Sequence, residues 1–327
     1  MVDDGIDLII HSPADLAQMH VEHAERIKAD PGITFGVPEI DRRVIPLRPG
    51  DMAALCARPG HGKSSFAARM ARMVGRDIIQ RGAQDDEAVF FVTWEQTAEE
   101  LMAYFAAGDR YTVTDYAWGR VDMEDVRRNA VASVRMPIWV IGHALRNAGK
   151  QTPRMTVESV WQAFETIRRK YGRKPRLTVF DYLQLIPLSR HTTNRTEQTN
   201  ETVVLSKELA IAASTPLIVN VQASREVDTL KPPIPKMANA QHSSAIEQHV
   251  DKFFGMWRPW KTEDHDAQIK PPGYSKAFAN CPELFVLAMD KQRMEDGSYT
   301  WALHFTPQEL KLSEFETDST PPPLLYE

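Results

Sequence analysis

The sequence predicts an α/β protein with a mainly parallel central sheet, helices on both faces and antiparallel strands at one edge. Three observations carry that expectation. Short apolar runs alternate with amphipathic helical patterns along most of the chain, as parallel strands joined by crossover helices require. One run, Met52 to Ala57, leads through a glycine-rich loop straight into a helical pattern at Lys63. Three later runs, 252–257, 284–289 and 299–305, have little helix between them, which predicts antiparallel edge strands.

Composition narrows the class. At 327 residues the chain is long enough for one large α/β domain or two small ones. A net charge of −5 excludes a globally basic nucleic-acid binder, so any such contact must come from local basic loops. Cys56 and Cys281 lie far apart in apolar contexts and read as reduced core residues of an intracellular protein. No apolar run approaches the roughly 20 residues that span a bilayer. The acidic start (Asp3, Asp4, Asp7) argues against a leader peptide, so a cytoplasmic protein without membrane contact is expected.

The elements follow in order. Ser12 caps a helix over 12–29, with Pro13 at its first position and Leu16, Met19, His23 and Ile27 on one face. That helix needs a partner surface, either on its own domain or on a neighbouring subunit. After a lead-in with a helical turn near 39–44, the strand 52–57 and a helix to Gln80 follow. A second strand spans 88–94, and Thr97 caps the next helix, with Glu99 and Glu100 in its first turn. Residues 109–135 read as mostly helical, 137–141 as a third strand, and 157–171 as a helix capped by Thr156. Strands 176–181 and 216–222 flank a helix over 197–213, and a short helix covers 244–249. The tail beyond Pro307 is acidic, then Pro-rich.

The strand–loop–helix at 52–70 is built for phosphate. Backbone N–H groups of a glycine loop and a helix N-terminus wrap the phosphates, a lysine reaches the outer ones and a hydroxyl ligates magnesium. Here Arg58, Pro59, Gly60, His61, Gly62, Lys63, Ser64 and Ser65 form the loop, Lys63 is the phosphate lysine and Ser64 the magnesium hydroxyl. Ala57 replaces the usual first glycine, which is tolerable where no positive φ is needed. An NTPase also needs an acid for the metal and a group to position water. Asp181, ending an apolar strand, fits the first role. Tyr182 follows it, so the base is not adjacent, and Glu95 at the end of the neighbouring strand is the candidate. Gln222, ending the fifth strand, could bond the γ-phosphate or the water.

With these residues stand Trp94-Glu95, Phe180-Asp-Tyr-Leu-Gln-Leu185, Ser244-Ala-Ile-Glu-Gln248 and Lys291-Gln-Arg293. In order and spacing over about 33–306 the chain resembles the RecA-like P-loop NTPase motor domain of DnaB-type replicative helicases. The resemblance implies a motor domain at 33–306 between an N-terminal helix or linker (1–32) and a C-terminal tail (307–327). It implies ATP and Mg2+ as cofactors and a homo-oligomer, a hexamer in that family. ATP would sit between neighbours, with Lys291 and Arg293 reaching the next subunit's γ-phosphate. Two channel loops would hold single-stranded DNA, here 189–200 and 225–236, with Arg190, Arg195, Arg225 and Lys231 as contacts. A loader or other protein could be a partner. The family's helical N-terminal domain has no counterpart in residues 1–32, and its Ser-Gln-Leu-Asn-Arg run reads Val221-Gln-Ala-Ser-Arg225 here. The expected function is an ATP-dependent helicase or translocase. The alternative is an ATP-gated assembly protein, similar to KaiC-like or RadA-like relatives, that controls a partner without unwinding.

Overall fold

The computed structural model describes residues 10–315, apart from 109, 150–153, 191, 193, 242–243 and 296. A nine-stranded sheet carries the fold among them, in the order β11-β10-β9-β6-β1-β5-β4-β2-β3. Its parallel strands are β1 (Met52–Ala57), β2 (Glu87–Thr93), β3 (Ile138–Ile141), β4 (Lys174–Asp181), β5 (Leu217–Gln222) and β6 (Lys252–Trp257). β7 (Gln268–Ile269) and β8 (Phe278–Ala279) form a separate small hairpin. β9 (Leu284–Gln292), β10 (Tyr299–Thr306) and β11 (Lys311–Glu314) close the sheet in antiparallel pairs.

The strands near the centre are apolar at nearly every position because both sheet faces are covered. On one face, α3 (Lys63–Gln80) packs Phe66, Met70, Val74 and Ile78 beside Leu55, Phe91 and Phe254, and Leu101 of α4 (Ala98–Ala106) joins them. Phe66 stacks on Phe285 with ring centroids 6.0 Å apart. On the other face, α7 (Val157–Tyr171), α8 (Arg195–Ala212) and α9 (Ser244–His249) cover Met52, Cys56, Phe90 and Phe180. Phe164 of α7 meets Phe90 edge-on at 4.7 Å. Outside these layers lie α1 (Pro13–Ala29), the four-residue α2 (Pro38–Asp41), α5 (Val113–Ala117) and α6 (Met123–Ser133).

Local signals act as physics requires. Ser12 and Asp15 form a capping box on α1, and Thr97 with Glu100 forms one on α4. Thr156 caps α7, and Gly172 ends it in the left-handed conformation. Ala57 is a buried strand residue without positive φ, so it serves where glycine is usual. α1 has no buried residue, so its Leu16 and Met19 find no cover on their own domain.

Four features differ from expectation. β6 runs parallel to β1, so the antiparallel edge is β9–β11 rather than the three late runs together. The sheet continues past Thr306 through β11, within the stretch expected to be a tail, while 316–327 lie outside the described residues. The β7–β8 hairpin has no alternating pattern long enough to reveal it. Cys281 is only partly buried, whereas Cys56 is fully buried and its thiol is pushed up to about 12 by that burial.

β6 is crossed closely by the chain that follows β5. A Cβ on Gly255 would stand 1.9 Å from the Pro235 carbonyl oxygen, a contact with backbone that cannot be relieved by a rotamer change. Gly255→Ala is therefore expected to destabilise the fold by about 1–3 kcal/mol, the usual range for overpacking. Urea unfolding would show this as a lower midpoint at unchanged slope.

Candidate nucleotide-binding and active site

The site lies beyond the carboxyl ends of β1, β4, β5 and β2. β1 is held between β5 and β6, so its end projects the loop 58–62 into the crevice where such sheets bind ligands. Gly60 and Gly62 take φ of 78° and 93°, which a side chain would strain. Lys63 opens α3, and its Nζ donates to the carbonyls of Ala57 (2.8 Å) and Arg58 (3.3 Å). Burial lowers its pKa, while Asp181 and Glu95 oppose that shift, so the lysine faces both carboxylates.

Not every loop side chain faces the cradle. Arg58 turns sideways, pairing through Nε with Asp228 at 3.0 Å and through Nη1 with the Ala223 carbonyl at 3.2 Å. His61 turns inward. It is 5 % exposed, and its Nδ1 accepts the Arg258 N–H at 3.0 Å. Their backbone, with that of Pro59 and Gly60, remains in the loop, and Ser65 is buried in the first turn of α3.

The two acids are fixed relative to each other. Thr93 pairs with Asp181 in the β2–β4 register, and the Trp94 N–H donates to the Asp181 carbonyl at 2.9 Å. Trp94 is itself anchored by its indole N–H on the Met155 carbonyl (2.8 Å) and by edge contact with Phe180. Glu95 therefore emerges one residue beyond a point tied to Asp181. Burial raises the Glu95 pKa and the Asp181 charge adds to it, while Lys63 opposes them. Asp181 is buried and its pKa is also raised, chiefly by that burial; the Asn220 amide and the Ser64 hydroxyl pull it back. Asn220 donates to its Oδ1 at 2.8 Å, whereas Oδ2 is buried with no hydrogen-bond partner.

That orphaned oxygen beside the Ser64 hydroxyl fits magnesium, which takes one or two protein oxygens and completes its shell with phosphates and water. Ser64 and Asp181 would hold it, and a bound divalent charge would favour the ionised carboxylate.

Gln222 ends β5 next to β1, paired with Ala57. Its N–H donates to the Gln184 side-chain oxygen at 3.2 Å, and the Gln184 amide donates back to its carbonyl at 3.4 Å. Gln184 thus sets where Gln222 points, a role hidden in the Asp-Tyr-Leu-Gln-Leu run. Lys291 and Arg293 lie elsewhere. β9 runs opposite to β6, with Lys291 beside Phe253 and Gln292 beside Lys252, at the amino end of β1 and β6. Lys291 Nζ donates to the Glu247 carbonyl at 2.8 Å, and Arg293 Nη1 lies 3.1 Å from Asp251 Oδ1. Arg225 and Lys231 are exposed in the segment after β5, and Arg195 is exposed at the first position of α8. Arg190 is not a free cation: it pairs with Glu197 at 2.6 Å and Glu201 at 2.5 Å.

A glycine loop between a central parallel strand and its helix, faced by a buried aspartate on a nearby strand, defines a P-loop NTPase fold of the RecA-like kind. The model of the DnaB-like helicase C-terminal domain matches residues 32–313, and the chain belongs to that family. It is similar to a structure solved as an ATPase domain by itself, with a TM-score of 0.72 at 20% identity over 94% of this chain and 100% of that one. A DnaB-like replicative helicase, solved in a study of its interactions with primase, matches with a TM-score of 0.69 at 19% identity over 91% of this chain and 66% of that one. Among curated proteins, the replicative DNA helicase DnaB of Rickettsia bellii is 25% identical over 253 residues, 75% of this chain and 47% of that protein. DnaB of Geobacillus stearothermophilus is 26% identical over 257 residues, 77% of this chain and 52% of that protein. The chain thus spans about half the length of these relatives. Among the described residues no helix is long and apolar enough to cross a membrane.

His61 gives the loop a pH signature. Burial, with Lys63 and Arg258 nearby, lowers its pKa from 6.5 to about 4. The folded state then keeps it neutral where the unfolded chain takes up a proton, so its contribution is intact above about pH 6.5 and is lost as pH falls towards 4. His61→Gln should show a shallower loss of stability across that window than the parent, measured by urea unfolding at stepped pH.

Proposed function

We propose that this chain is an ATP-dependent motor that assembles into a ring, a hexamer on the family pattern, hydrolyses ATP between subunits and moves on single-stranded DNA. The observation that carries the reading is the separation of the catalytic groups. The phosphate loop sits at the carboxyl end of β1, and Lys291 and Arg293 sit at the amino end of its neighbour β6. β6 spans about 17 Å at roughly 3.3 Å per residue, so the two cations are out of reach of their own chain's loop. They become useful only against a loop supplied by another copy, where an arginine stabilises charge developing on the transferred phosphate.

Within one chain, the loop backbone and Lys63 bind the phosphates, and Ser64 and Asp181 hold the metal. When bound, that metal neutralises phosphate charge and draws electron density from the leaving oxygens. Glu95 takes a proton from the attacking water, and its raised pKa makes it a stronger base than an ordinary surface glutamate. Gln222, steadied by Gln184, contacts the γ-phosphate or the water. Arg195, Arg225 and Lys231 are the DNA contacts, while Arg190 straps its loop to α8.

One observation favours a second reading. Arg190 is already compensated by two glutamates, which leaves the 189–200 loop only weakly basic. An ATPase gated by a protein partner would need no more than that.

Steady-state ATP hydrolysis with and without single-stranded DNA, at two salt concentrations and on protein sized by light scattering, separates the two. The motor reading expects an oligomer whose turnover rises with DNA and loses the increment at high salt, because phosphate contacts release counterions. Turnover indifferent to DNA would sink it in favour of the gated ATPase.

Lys63→Ala is expected to abolish turnover, and Glu95→Gln to slow it by about a hundredfold or more while leaving ATP binding intact. Nucleotide binding followed by fluorescence alongside the rate assay checks both; normal hydrolysis in Glu95→Gln would place the base elsewhere.

A further inference from the structure

Asp251 lies just before β6, is 3 % exposed, and is met from three separate elements. The Met52 N–H at the start of β1 donates to its Oδ2 at 2.8 Å. Lys207 of α8 donates to the same oxygen at 2.5 Å and also to the Gly50 carbonyl at 2.7 Å. Arg293 reaches the other oxygen, Oδ1, at 3.1 Å. The backbones are stitched too: the Arg293 N–H donates to the Asp251 carbonyl and the Asp251 N–H to that of Met52, both at 2.8 Å.

The two cations on this carboxylate differ in freedom. The Lys207 side chain is 16 % exposed and has two acceptors inside the protein. The Arg293 side chain is 55 % exposed, and its contact to Asp251 uses Nη1. A buried carboxylate that loses its only cation is strongly unfavourable, and that penalty would hold an arginine in place. Lys207 removes most of it, because Asp251 stays paired when the guanidinium swings away.

We infer that Asp251 and Lys207 are positioning residues for Arg293. They form a seat that aims the arginine out of the amino end of β6 and lets it pass to a neighbour's nucleotide without stranding a buried charge. The inference rests on the reading that Arg293 acts in trans. Lys207 touches no part of its own chain's phosphate loop, so its effect should appear in kcat rather than in ATP affinity.

The test is a double-mutant cycle on assembled protein, with turnover measured over a range of ATP. Lys207→Gln is expected to lower kcat about tenfold while KM for ATP stays within about twofold. Lys207→Arg should restore most of the rate. The Lys207→Gln, Arg293→Ala double variant should be no slower than Arg293→Ala alone, since a residue acting through Arg293 has nothing left to position. A role in folding alone would make the two losses add. Full additivity, a rise in KM at unchanged kcat, or normal turnover in Lys207→Gln overturns the inference. If Arg293→Ala itself turns over normally, the trans reading fails first, and the two failures are told apart. Should Lys207→Gln not assemble, Asp251→Asn with Lys207→Met removes both buried charges together. That pair is expected to assemble, with kcat down by the same order; parental kcat there also overturns the seat.

Discussion

Strand direction is the constraint on which the rest of the structure depends. β1 is paired in parallel with β5 on one side and β6 on the other, so three chain ends emerge together at the phosphate-binding edge. β9 then returns antiparallel along β6 and delivers Lys291 and Arg293 to the opposite edge. The core enforces this arrangement. All of β1 and β6 is buried, and a one-residue slip would turn Leu55 and Phe254 away from Phe66's face of the sheet. On the proposed reading, a single chain holds half a catalytic site at each edge, and assembly completes the site by stacking unlike edges. Such head-to-tail contacts close into rings when the rotation between copies allows.

Much of this is legible in the sequence because it is local. The phosphate loop, the end of α3 at Gln80, and the caps Thr97 and Thr156 depend on a few adjacent residues. Asp181 and Glu95 can be picked out because strand ends in such sheets gather at one edge. What escapes depends on pairing between distant segments. Nothing near Lys252 says that its strand will lie parallel to β1, and β11 is four residues long. His61 belongs to the loop by position, yet its ring is committed to the Arg258 N–H, 197 residues away. Arg190 looks like a free cation within its loop; Glu197 and Glu201, one turn apart on α8, are the available sign that it would be neutralised. Asp251 ends no strand and belongs to no acidic pattern, so nothing local marks it. Its importance comes from donors at positions 52, 207 and 293.

The nucleotide edge and the candidate DNA loops share covalent and hydrogen-bonded ground. Arg58, the first loop residue, is tied to Asp228 in the turn that begins at Arg225. Gln184 and Gln222 hold the ends of β4 and β5 together just before both loops depart. Lys63 rests on the Ala57 and Arg58 carbonyls, and a lysine drawn onto phosphate would have to give up those acceptors. The Arg58 backbone is then free to shift, and the Asp228 pair carries the shift into the 225–229 turn. α8 offers a second route. Its first turns carry the Arg190 strap, and Lys207, twelve residues beyond Arg195 and so about 18 Å along the helix, joins the Asp251 seat. A displacement of the 189–200 loop, transmitted by a stiff helix, arrives at the cation meant for the neighbouring subunit. Coupling between DNA and hydrolysis then needs no separate relay, because the helix that presents the loop also touches the carboxylate that holds Arg293.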